Sequence, residues 1–278
     1  MNARLGQRTS LLLGQLVLVL AVLTAGVLCA VSPPWSSAAT GVTGAQARTL
    51  VAQAASRITT VGSYQSRFEF AISIQGKTIK TSGSGLSDVN NKTASGTFDI
   101  PGFGSIEFRQ LGDRGYIRLP GGRVDALGHH WLSVVGASSA SVGGQDPLTF
   151  LRALSADDTV DNKGPEKVAG VATVHYTVRL DAHRLIAAAQ SQGSLTTPVP
   201  DGIANQFRDA TVDLWLDGQN LPRRMRMSYG TDQVSFRFQF EFADYGGTIK
   251  IPSPPESDVT PAATMQQAML QLQTALRG

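Results

Sequence analysis

The residues that could do chemistry are few, and their spacing does not gather them. His129, His130, His175 and His183 are the only histidines of the 278-residue chain. A metal centre needs three or four convergent ligands. No cysteine joins these histidines, no ligand spacing links them, and His175 falls on the polar side of an alternating segment. A solvated or structural role is therefore expected of each. The run from Ser133 to Ser141 lacks the G-x-S-x-G setting of one common serine nucleophile and reads as a loop. Gly83-Ser84-Gly85 is too short and strand-like to cradle a phosphate. Asn91-Lys92-Thr93 matches a glycosylation sequon, a triplet that arises often by chance. Arg223, Arg224 and Arg226 fit either anionic head groups or a plain solvated strand face. No catalytic residue, metal or cofactor is assigned.

What the sequence supplies in quantity is apolar side chains at a strand's period. Between Thr231 and Gly246, Val234, Phe236, Phe238, Phe240 and Phe242 share one parity, and Ser235, Arg237, Gln239 and Glu241 share the other. Such alternation makes a strand with one greasy face and one wet face. Burying five such side chains contributes up to about 1.5–3 kcal/mol each, so this face must meet a core or a ligand.

The pattern recurs. Phe68, Phe70, Ile72 and Ile74 oppose Arg67, Glu69, Ser73 and Gln75. Segments 77–88, 92–100, 105–111 and 116–119 follow as short strands joined by turns, the mark of an antiparallel meander. Segment 133–145, rich in Ser, Gly and Ala, is expected as a loop that could gate the face, and Asp146-Pro147 as the cap and first turn of a helix. Strands are expected at 164–168 and 171–180, the latter with Val174 and Tyr176 on its apolar face. A short helix is expected at 182–191, and strands at 211–216 and 221–229, with Met225 and Met227 inward. Thr248 to Ile251 is expected to close the sheet. Ala47, Leu50, Val51, Ala54, Ile58 and Val61 make a helical stripe near the start. Met265, Met269, Leu272 and Leu276 make another within an amphipathic C-terminal helix, 261–278.

Charge excludes one class of partner. The formal net charge is +3, and without residues 1–39 it falls to 22 basic against 21 acidic groups. No Lys/Arg cluster grips phosphates as nucleic-acid binders do. The single cysteine, Cys29, rules out an internal disulfide. Residues 11–31 are almost unbroken apolar sequence behind Arg4 and Arg8. This reads as a secretory signal or an uncleaved anchor, with Cys29 as a candidate lipidation site. Each option places the bulk of the chain outside the cytoplasm, against the membrane or secreted.

The fold class that follows is α+β: a curved antiparallel half-barrel of about ten strands wrapped over a few helices. Ten strands at about 4.8 Å spacing give a sheet near 48 Å wide, whereas each helix shields roughly 10 Å. The sheet must curl tightly round its helices or leave an apolar hollow. Wall candidates are Phe68, Phe70, Ile72, Ile74, Val174, Tyr176, Met225, Met227, Phe236, Phe238 and Phe240. The alternative is a filled core in an anchored structural or interaction module.

Several segments resemble the actinobacterial LppX/LprAFG lipoprotein family, relatives of the LolA/LolB carriers. They are Asp146-Pro-Leu-Thr-Phe-Leu-Arg-Ala-Leu154, Val168-Ala-Gly-Val-Ala-Thr-Val-His-Tyr-Thr-Val178, Val212-Asp-Leu-Trp-Leu-Asp217 with Leu221-Pro-Arg-Arg, and Phe242-Ala-Asp-Tyr-Gly246 with Ile251-Pro and Pro254-Pro255. The likeness runs over about residues 45–260. It implies a lipid-binding domain over 40–260 that carries acylated lipid or glycolipid in an apolar cavity, as a monomer working at a membrane surface, with no catalytic residues. Two departures stand out: Leu28 and Gly26 make a poor lipobox before Cys29, and helix 261–278 lies beyond the usual core.

Overall fold

The computed structural model describes residues 44–100, 104–135, 159–181, 209–230 and 234–263, with 267, 268, 270–272 and 274 as helical positions near the C-terminus. Residues 1–43, with Cys29, lie outside the described residues. So do the expected helices at 146–155 and 182–191, positions 136–145 of the expected gate, and Met265, Met269 and Leu276.

Helix α1 (Gly44–Val61) forms where the first stripe predicts it. Ala47, Val51, Ala54 and Ile58 are buried. Gly62, at φ 81°, ends it by giving its N–H to the Ile58 carbonyl at 3.3 Å, the left-handed cap that glycine allows.

Twelve strands follow. In the first half they are β1 (Ser63–Ile74), β2 (Lys77–Asp88), β3 (Thr93–Ile100), β4 (Gly104–Leu111), β5 (Arg114–Arg118) and β6 (Trp131–Val135). The second half has β7 (Thr159–Val168), β8 (Val171–Asp181), β9 (Asp209–Asp217), β10 (Pro222–Gly230), β11 (Val234–Ala243) and β12 (Val259–Ala262). They form one unclosed, curved sheet in the order β12-β6-β5-β4-β3-β2-β1-β11-β10-β9-β8-β7. Every neighbouring pair is antiparallel except β12–β6, which is parallel. The two edge strands, β7 and β12, carry Pro165 and Pro261, residues confined to edges because they cannot donate to a ladder.

Four expectations give way. Twelve strands replace about ten, chiefly because β12 is short and follows three prolines. Ser133, Val134 and Val135 belong to β6 and not to a loop: Ser133 pairs with Tyr116 and Val134 with Gly115. Thr248 to Ile251 adds no strand. After β11 the chain turns at Asp244 and Gly246, both at positive φ. It is tied down by Gly246 N–H to the Ser63 carbonyl (3.0 Å), the Ser63 hydroxyl to the Gly247 carbonyl (2.6 Å) and Arg109 Nη1 to the Pro252 carbonyl (2.7 Å). It therefore runs past β1 and β4 to reach β6. Finally, Ala262 closes β12 where a helix was expected to begin.

The His129-His130 pair fastens that last strand. The His130 backbone N–H and Nδ1 both bond Asp258 Oδ1, at 2.9 and 2.8 Å, and His129 Nδ1 meets the Thr260 hydroxyl at 2.8 Å.

The apolar face carries two clusters. Under α1, residues of β1 and β8–β11 form the larger. Under Ala268 and Leu272, residues of β3–β6 and Ala262 form the smaller, with Phe68 packed against it.

Candidate functional site

Register turns the alternation into rows. Phe68, Phe240, Met225, Leu214 and Tyr176 lie side by side across β1, β11, β10, β9 and β8. Phe70, Phe238, Met227, Val212 and Val178 form the next row, and Ile72, Phe236 and Tyr229 begin a third. Cross-strand neighbours in a sheet share a face. All eleven wall candidates therefore stand on one side, Ile74 at the end of β1 and Val174 at the start of β8 included. Leu214, Val212 and Tyr229 belong to the same surface and were missed as wall residues, although the parity of Val212-Asp-Leu-Trp-Leu216 announces two of them.

The rows differ in how well they are sealed. Phe70, Phe238, Met227, Val212 and Val178 are all buried, and Phe70 and Phe238 pack with centroids 4.5 Å apart. Phe68, Phe240, Phe236, Tyr229, Ile74, Ile79 and Val174 keep accessible area on the same face. Most of them gather at the end where β1 turns into β2 through Gln75 and Gly76. There Phe236 and Tyr229 stack at 5.0 Å, and Tyr229 reaches Phe238 at 6.2 Å. Burial raises the pKa of the Tyr229 phenol well above its ordinary value, so protein surrounds it, yet its ring is only half-buried. Tyr176, deeper in the first row, is also raised by burial and is sealed.

Among the described residues no ion pair interrupts this face. The ion pairs Lys80–Glu69 and Arg224–Glu241 belong to the other side. Among the described residues no group of three or more His, Cys, Asp or Glu is placed to hold a metal, and no helix is long and apolar enough to cross a membrane.

No known protein-family profile matches the chain. A curated relative, an uncharacterised 31.2 kDa protein of Streptomyces griseus, is 26% identical over 185 residues, and the match spans 56% of each chain. Among solved structures, the lipoprotein LppX of Mycobacterium tuberculosis is 14% identical with a TM-score of 0.48, covering 76% of this chain and all of that one. LprF of Mycobacterium bovis is 14% identical with a TM-score of 0.47, over 77% and 99% of the two chains. A LolA-superfamily protein of Nitrosomonas europaea is 8% identical with a TM-score of 0.30, over 78% and 97%. Identities this low leave the activity of this chain to be read from its own side chains.

Proposed function

We propose that this chain is an exported, non-enzymatic carrier of acylated lipid or glycolipid in the cell envelope, holding acyl chains against the apolar face of its sheet. The observation that carries the reading is the accessible strip formed by Ile74, Ile79, Tyr229 and Phe236 on a face whose central row is buried. Each methylene moved from water onto such a strip gains about 0.8 kcal/mol. Moved from a bilayer, where its surroundings are already apolar, it gains little. Uptake and release are then close to balanced, as a carrier requires. The eleven wall candidates are the proposed lipid contacts. An anchor or signal at 1–39, lipidation at Cys29 and work at a membrane surface as a monomer complete the proposal.

Native mass spectrometry of the full chain, desorbed from its detergent micelle, tests it. Adducts at lipid masses, together with uptake of a pyrene-labelled phospholipid from liposomes, are expected. A clean apo mass with no uptake sinks the carrier reading. Intact-mass measurement of the N-terminus reads cleavage or lipidation separately.

A further inference from the structure

The polar face of the same sheet holds a second, independent feature. One lateral row on it is built from two flanks of like composition. On one side Trp131, Arg118 and Glu107 are neighbours across β6, β5 and β4; on the other, Trp215, Arg224 and Glu241 are neighbours across β9, β10 and β11. Each flank is closed on itself. Glu107 is held by Arg109 at 2.7 Å and Arg118 at 3.5 Å, with both guanidiniums over the Trp131 ring. Glu241 is held by Arg224 at 2.8 Å, whose guanidinium lies over Trp215.

Between the flanks the row continues through Arg67, Ser84 and Thr97 on β1, β2 and β3. These three side chains have no hydrogen-bond or ion-pair partner among the described residues. Arg67 sits opposite Glu241 in register, but Arg224 has taken that carboxylate. A cavity of about 570 Å³ opens over this gap in the ladder. Arg67, Ser84, Ser95 and Thr97 line it, and Val168 and Val171, at the tip of the β7–β8 hairpin, supply an apolar wall. Phe68 and Phe108, whose rings fill the opposite face over Gly83 and Gly96, do not line it. The cavity is thus separate from the apolar strip.

The uncommitted groups define the ligand. A guanidinium offers only donors, in a planar fork that matches a carboxylate or phosphate. Three hydroxyls, Ser84 on β2 and Ser95 and Thr97 on the neighbouring β3 about 4.8 Å away laterally, can donate to or accept from a polyol. Glu107 and Glu241 are neutralised in place and Arg223 is paired with Asp217, so among the described lining residues Arg67 is the one uncommitted cation, an anchor for an oxyanion, and Asp244 is an uncommitted acceptor for a sugar hydroxyl. We propose that this cavity binds a small sugar bearing one acidic group, with Arg67 holding the oxyanion, Ser84, Ser95 and Thr97 meeting the hydroxyls, and the valines covering the C–H face.

Calorimetric titration of the full chain with glucuronate, glucose 6-phosphate, glucose and inorganic phosphate tests this. At least one acidic sugar is expected to bind at least about ten-fold more tightly than glucose and than inorganic phosphate, because charge-assisted bonds are the strong ones. Arg67→Ser is expected to remove that advantage, and Thr97→Val to weaken binding a few-fold, while Phe240→Ala on the other face leaves it intact. Arg67 and Thr97 are both exposed strand positions, and far-UV circular dichroism confirms that the variants fold. Absence of binding by both acidic sugars at about 10 mM, a Kd beyond any specific site of this size, overturns the proposal. Equal binding by inorganic phosphate, or undiminished binding by Arg67→Ser, overturns it too.

Discussion

The two halves of the apolar face are built on opposite principles. Under α1 the strands present large side chains abreast, with rings 4.5 to 6.2 Å apart in neighbouring strands. Toward β6 the strands alternate rings with glycine: the Phe68 ring lies over Gly83 and the Phe108 ring over Gly96. The second half, with less bulk, is the better sealed. Phe98, Ile106, Phe108, Ile117, Leu119 and Leu132 are all buried there. The first half, with more bulk, keeps accessible aromatic area. A ring laid across a glycine fills the space the missing side chain leaves, whereas rings standing side by side leave gaps between them that only a further layer can fill. Bulk and closure are separate properties of a sheet face.

The largest expected effects test whether the halves share one core. Leu214 in the first half and Leu132 in the second are fully buried. Leu214→Ala and Leu132→Ala should each cost about 2–5 kcal/mol, read as a lower denaturant midpoint in one transition by circular dichroism and tryptophan fluorescence. Two separate transitions would show that the halves fold as independent units.

A somewhat smaller effect is expected from the glycine device. A Cβ on Gly96 would stand 2.6 Å from Phe108 Cζ and 2.6 Å from the Ser84 carbonyl oxygen, a backbone atom that cannot yield. Gly96→Ala should cost about 1–3 kcal/mol through overpacking. Gly218→Ala, which meets nothing within 4 Å, should stay within about 0.5 kcal/mol of the parent. Thermal melts of the pair check the contrast.

The accessible half is probed by Phe236→Ala. This ring is only half-buried, so its loss should cost about 1–2 kcal/mol, below the usual price of a sealed Phe, while pyrene-lipid uptake falls several-fold. A stability loss as large as that of Leu214→Ala, with unchanged uptake, would mean that the strip is ordinary core.

The smallest effect concerns the His–Asp fastening of β12. Asp258 has its pKa lowered from 3.8, chiefly by the His130 backbone N–H and then by the His130 side chain. A carboxyl whose folded pKa is depressed adds stability above its unfolded value and loses it as pH falls through the folded one. Hydrogen exchange at β12 amides should therefore quicken below about pH 3.8, and Asp258→Asn should flatten that dependence. An unchanged profile in Asp258→Asn would assign the acid sensitivity elsewhere.

Much of the sheet was legible because period-two alternation survives in β1, β8, β10 and β11, whose two faces meet different media. The shared side of all eleven wall candidates followed from parity alone. Elements without that contrast were hidden. β6 reads as Trp-Leu-Ser-Val-Val and is buried at four of its five positions, so its serine looked like the start of a loop. β12 is four residues with a central proline, and its parallel pairing joins positions more than a hundred residues apart. Thr248 to Ile251 has strand-like residue types, but its backbone is committed elsewhere by Ser63 and Arg109. The row of Arg67, Ser84 and Thr97 could not be seen at all, since it exists only in the register between strands.

Among the described residues β7 and β12 are margins with no further strand beside them, and this has a mechanical consequence. A sealed cylinder has its girth set by strand number and stagger, but a sheet with two free borders can widen or tighten by small changes in twist, with every ladder bond intact. Pro165 and Pro261 on those borders deny a neighbouring copy the donors it would need to zip alongside. The sheet can thus change its curvature slightly without inviting polymerisation at its seams.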